Sequence, residues 1–122
     1  MRNEDRIQSN IIKWSQQPTV RKTYPCLKMM YHIPNERQCT PQQGRLLKLL
    51  GVKQGVPDLC LPVPSGKYHG LYVELKTPNG KTTPAQEWWR AELRAEGYAA
   101  VVCYGFDAAI TAILRYLDGE CI

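Results

Sequence analysis

Apolar side chains recur every three or four positions in four stretches of this chain, with short apolar runs between them, which predicts helices alternating with strands. Ile7, Ile11 and Trp14 share one face of an amphipathic helix over Asn3–Ser15. Asn3 stands as its N-cap, and Glu4 and Asp5 fall in the first turn, where the helix dipole favours acids. Residues 28–33 suit a strand that ends at Pro34, whose ring removes a hydrogen-bond donor. Thr40-Pro41-Gln42-Gln43 has the form of a helix start, with Thr as N-cap, Pro at the first position and Gln43 closing a capping box. That helix would bury Leu46, Leu47 and Leu50 and stop at Gly51.

Residues 58–61 and 71–76 are apolar runs flanking the turn residues Pro64, Ser65, Gly66 and Lys67, so a β-hairpin is the economical reading. Gly51 and Gly55 lie just before it and suggest a close backbone approach. Thr83-Pro84-Ala85-Gln86 repeats the helix-start pattern, and the helix continues through Trp88, Trp89 and Leu93 to Gly97. The two tryptophans are either core or a base-stacking platform. Residues 98–104 read as a buried strand, parallel to the 71–76 strand through a right-handed crossover. A last helix over 107–117 repeats Ile110, Ile113, Leu114 and Leu117 at core spacing. The order describes an α/β fold with helices flanking a mixed central sheet.

Three charged residues are out of place in this pattern. Alternation along a strand sends Leu71, Val73 and Leu75 to one face and Tyr72, Glu74 and Lys76 to the other. If the hairpin forms, Asp58 at the start of its first strand lies close to Glu74 near the end of the second. Pro57 fixes Asp58 at the strand's mouth, since proline can open a strand but not sit inside one. Two carboxylates so placed repel each other unless a cation intervenes, and hard divalent ions prefer oxygen ligands of this kind. The adjacent lysine could meet a phosphate. The competing reading is a solvated strand face carrying a weak surface ion pair.

Pro57-Asp58 with Glu74-Leu75-Lys76 resembles the PD-(D/E)xK nuclease superfamily. The fuller pattern, Gly51-Val-Lys-Gln-Gly55-Val-Pro-Asp58, Tyr72-Val-Glu-Leu-Lys76, Gln86 and Gly97-Tyr-Ala, is similar to the VRR-NUC family, found in phage and bacteria. The resemblance covers nearly the whole chain. It implies one nuclease domain over residues 1–122, with a restriction-endonuclease-like core and a mixed central sheet flanked by helices. It further implies a Mg²⁺- or Mn²⁺-dependent deoxyribonuclease in which Asp58, Glu74 and the carbonyl of Leu75 bind metal and Lys76 positions water or stabilises charge. An acidic residue of the first helix, Glu4 or the adjacent Asp5, would approach the metal. Gln86 would reach the site, close its capping box, or do both. His32 and Asn35 would hydrogen-bond a phosphate or a metal-bound water, or simply form a strand-end turn. Relatives act on branched DNA, which implies a structure-selective, Holliday-junction-like substrate cut by a homodimer; the other reading is a non-catalytic DNA-binding or recombination accessory module.

Composition narrows the field further. A formal net charge of +5 over 122 residues favours an anionic partner, but the basic residues, among them Arg37 and Lys53, are spread along the chain and form a patch only on folding. Five cysteines without a Cys-x-x-Cys pair argue against a disulfide framework or structural zinc, and Cys60 and Cys103 suit small core positions. His32 and His69 lack the spacing of a zinc-hydrolase pair. No apolar run approaches transmembrane length and the amino terminus is polar, so the expectation is a cytoplasmic protein of a bacterial or phage-infected cell.

Overall fold

The computed structural model describes residues 1–35 and 39–122. Its centre is a four-stranded mixed sheet in the order β1-β2-β3-β4, built from β1 (Tyr31–His32), β2 (Leu59–Leu61), β3 (Leu71–Lys76) and β4 (Ala99–Tyr104). Strands β1 to β3 pair antiparallel, and β4 joins β3 in parallel with Glu74 opposite Val102. The predicted hairpin is present, and its register of Leu59 opposite Val73 carries Asp58 to the level of Glu74. Five α-helices flank the sheet: α1 (Asn3–Ser15), α2 (Pro18–Thr23), α3 (Pro41–Leu49), α4 (Pro84–Ala95) and α5 (Phe106–Leu117). None of the described helices is long and apolar enough to cross a membrane.

Alternation along the strands decides where the core forms. Leu59, Leu61, Leu71, Val73 and Leu75 meet Ile11 of α1 and Ala109, Ile113 and Tyr116 of α5, all buried, with Ile7 and Trp14 packed at the margin. Cys60 and Cys103 are buried as small side chains, as expected. The Tyr116 hydroxyl donates to the carbonyl of Val63 at 2.5 Å, and Ser65 Oγ donates to the carbonyl of Tyr116 at 2.6 Å, which ties the hairpin loop to α5. Both Thr-Pro-x-Gln signatures form complete capping boxes, Thr40 with Gln43 and Thr83 with Gln86.

The structure departs from the sequence expectations at four places. Arg2 occupies the N-cap position of α1 and Asn3 lies inside the helix; no side chain caps this end. The strand expected over 28–33 shortens to two residues, because Pro25 opens a 3₁₀ turn over Pro25–Met29 that consumes Lys28 and Met29. Pro18 similarly opens the unforeseen α2. Helix α3 buries none of its residues: Leu46 and Leu50 are exposed, with Leu49 between them 83% exposed, because α3 makes at most slight contact with the other elements. Gly51 still follows it with a positive φ of 97°, the left-handed conformation that ends helices.

Candidate active site

The Glu74 face of the sheet is where the polar residues converge. Asp58, Glu74 and Lys76 are each only 6% exposed, which rules out the solvated-face reading of the Glu-x-Lys pair. Asp58 Oδ2 accepts the main-chain N–H of Leu75 at 2.7 Å, so the turn before β2 is locked to β3 through the carboxylate itself. Its main chain is held as firmly: the Asp58 carbonyl accepts the N–H of Ile33 at 2.8 Å and lies 2.8 Å from His32 Nδ1. A carbonyl only accepts, so Nδ1 carries a proton and donates it. His32 therefore positions Asp58. Sequence reasoning had offered it a phosphate or a turn, and the signal for its actual contact, the pairing of His32 with Leu59 across β1 and β2, is not local. Asn35 Oδ1 is buried with no hydrogen-bond partner among the described residues; Arg37 falls outside them.

Glu74 is surrounded. Its Oε2 lies 3.7 Å from Lys76 Nζ and accepts a long hydrogen bond from Gln86 Nε2 at 3.4 Å. Burial, the nearby Asp58 carboxylate and a hydrogen bond to it push the Glu74 carboxyl up to about 9, against the lowering effect of Lys76. The charge of Glu4, at the start of α1, acts on Glu74 in the raising direction, so the first helix does bring an acid toward the site, and Glu4 is the residue felt there. Gln86 fills both of its alternatives at once: Oε1 accepts from Thr83 N at 2.9 Å and closes the capping box, while Nε2 reaches Glu74.

The start of α4 is set against this site by the preceding loop. Gly55 has φ of 89°, and a Cβ there would stand 2.7 Å from the main-chain carbon of Ala85, so only glycine lets the loop approach α4 so closely. One residue earlier, the Gln54 carbonyl accepts Trp89 Nε1–H at 3.1 Å. The expected close passage before Asp58 is thus against α4, a partner the sequence did not identify.

The potential metal donors that converge here are oxygens, the buried carboxylates of Asp58 and Glu74. No group of three or more His, Cys, Asp or Glu side chains among the described residues closes into a cage. Two carboxylates with remaining positions left to water and substrate oxygens suit Mg²⁺ or Mn²⁺, which keep several waters, better than zinc. The Glu74 carboxyl is raised first by burial and then by the Asp58 charge, and a bound divalent cation would act in the opposite direction.

The chain matches the VRR-NUC domain model over residues 2–107. A solved structure described as a VRR_NUC domain protein superposes with a TM-score of 0.78 at 34% identity, covering 98% of this chain and 92% of that one. No curated protein matches. With the family model spanning most of the sequence and the mixed sheet, hairpin and helices in common with that structure, the chain belongs to the VRR-NUC family of nuclease-type, DNA-processing domains.

Proposed function

We propose that this chain is a Mg²⁺- or Mn²⁺-dependent endodeoxyribonuclease that hydrolyses phosphodiester bonds in branched DNA and acts as a homodimer. The observation that carries the reading is the buried Asp58 and Glu74 pair with Lys76 Nζ 3.7 Å from Glu74, in a nuclease-type domain. Asp58, Glu74 and the Leu75 carbonyl would hold the ion, with Glu4 adding negative charge from α1. Bound there, the ion supplies Lewis acidity and a lowered water pKa. The protein's own part is positional. His32 and the Leu75 N–H fix Asp58 in place, Gln86 and Lys76 fix Glu74, and the Lys76 ammonium offers donors to the attacking water or to a phosphate oxygen as negative charge grows on it. Hydrolysis adds one water across a P–O bond, and the departing oxygen leaves with a proton drawn from solvent.

The branched substrate and the homodimer go together, since two symmetric strands to cut suit a two-fold pair of sites. The exposed Leu46, Leu49 and Leu50 of α3 support a second copy, which would cover them. The test incubates purified protein with labelled duplex, single-stranded, flap and four-way-junction DNA in Mg²⁺, Mn²⁺ or EDTA, beside Lys76→Ala, with sedimentation velocity for the oligomeric state. Metal-dependent cutting of a branched substrate, lost in Lys76→Ala, is the expected result. Binding without cutting in either metal would overturn it in favour of the accessory module.

A further inference from the structure

A cavity of about 460 Å³ opens on the outside of α4, lined by Lys53, Gln54, Ala85, Trp88 and Trp89. We propose that it receives one unpaired base of the DNA substrate, stacked on Trp88, with Lys53 on the adjoining phosphate; the inference rests on the nuclease reading above and names what that site recognises beside the cut.

Four observations carry it. Trp88 is 58% exposed on a helix that buries no residue, so its indole is spare surface and not core. Trp88 is also braced by its neighbour. Trp89 meets it edge-on, with ring centroids 5.4 Å apart at 87°, and is itself pinned by the hydrogen bond from Nε1 to the Gln54 carbonyl. A ring fixed before binding is the form of surface that stacks on a base at low entropic cost. The chemistry of the lining fits a nucleotide as well, apolar walls for a heterocycle and one lysine at the rim with no acidic residue among them. Finally, the cavity adjoins the carboxylates. Ala85 lines it, while the next residue, Gln86, hydrogen-bonds Glu74, so the cavity and one candidate metal ligand share the start of α4. A paired base within a duplex cannot present its face to an indole, so the cavity selects for an unstacked nucleotide such as branched DNA exposes.

The experiment measures binding in EDTA, where cutting does not intervene. The probes are duplexes carrying a single bulged 2-aminopurine, the same duplex with an abasic bulge, and the fully paired duplex. Wild type should bind the 2-aminopurine bulge more tightly than the other two and quench its fluorescence. Trp88→Ala should weaken binding to that probe by about 5- to 150-fold, the range for one base stacked on one aromatic ring, and abolish the quench. Trp88→Phe should retain most of both, and Lys53→Ala should weaken all three probes and reduce the salt slope by about one ion. Equal loss on all three probes by Trp88→Ala, or no loss on any, would overturn the proposal, as would Trp88→Phe behaving like Trp88→Ala with both folded by circular dichroism. The two readings fail separately: a quenched probe with no cutting in Mg²⁺ or Mn²⁺ removes the nuclease and leaves the base cavity, whereas cutting without a quench does the reverse.

Discussion

Glu74 gives the sharpest test of how this site balances its charges. Its carboxyl, raised to about 9 by burial and by Asp58, titrates near 4.5 in an unfolded chain. The folded state therefore binds the proton more tightly than the unfolded state. The stability this contributes is fully present below about 4.5 and is lost as pH rises toward 9. Each pH unit in that window costs the metal-free fold up to about 1.4 kcal/mol, with Asp58 sharing the proton and reducing it. Between about pH 6 and about pH 8 this amounts to at most about 3 kcal/mol, which for a chain of this size lowers Tm by up to roughly 10 °C. The variant Glu74→Gln keeps the shape, removes the titrating group and should lack the slope. Thermal unfolding in EDTA of both proteins across that range isolates the effect as the difference between their Tm curves, since other groups are common to both. Adding Mn²⁺ should flatten the wild-type curve, because the ion selects the ionised carboxyl, and the apparent affinity for Mn²⁺ should rise with pH. Parallel curves for wild type and Glu74→Gln in EDTA would refute the claim that burial and Asp58 hold a proton on Glu74 in the metal-free fold.

Three other outcomes follow from single contacts. Gly55→Ala puts a methyl 2.7 Å from the Ala85 backbone at φ of 89°, and it should lower stability by about 1–3 kcal/mol in a urea melt while displacing Trp89 fluorescence. His32→Phe removes the donor to the Asp58 carbonyl and should weaken Mn²⁺ binding about 10- to 100-fold by calorimetry, with a smaller change in Tm. Tyr116→Phe leaves the Val63 carbonyl without its donor and should cost about 1–2 kcal/mol, read from thermal unfolding.

What the sequence disclosed depended on the range of the interaction. The capping boxes at Thr40 and Thr83 involve residues three apart, and both were readable from four letters. Alternation in β3 correctly put Glu74 and Lys76 on one face, because strand period is a local property. Their burial was not readable, since it comes from α4 and the turn before β2 closing over that face, contacts made across the chain. The same limit explains α3: the spacing of Leu46, Leu47 and Leu50 is helical, and helicity was right, but periodicity cannot say whether another element of the same chain lies opposite. His32 was singled out for its chemistry and turned out to hold a backbone carbonyl, a role visible only once β1 and β2 are paired. At Lys28 and Met29, the 3₁₀ turn opened by Pro25 displaced the start of the strand expected over 28–33.

The way the carboxylate pair is assembled has a consequence for the chain as it is made. Asp58 finds its place through β1 before it and β3 after it, and Glu74 is completed by Gln86 at the start of a helix that begins only after β3 ends. On a ribosome, therefore, no nascent chain that stops short of Gln86 contains this constellation. The parallel strand β4, which flanks Glu74 on its other side, is synthesised later still. Because such non-local pairings form late in folding, a nascent chain close to nucleic acid carries its acidic residues apart, and they come together only when the sheet closes.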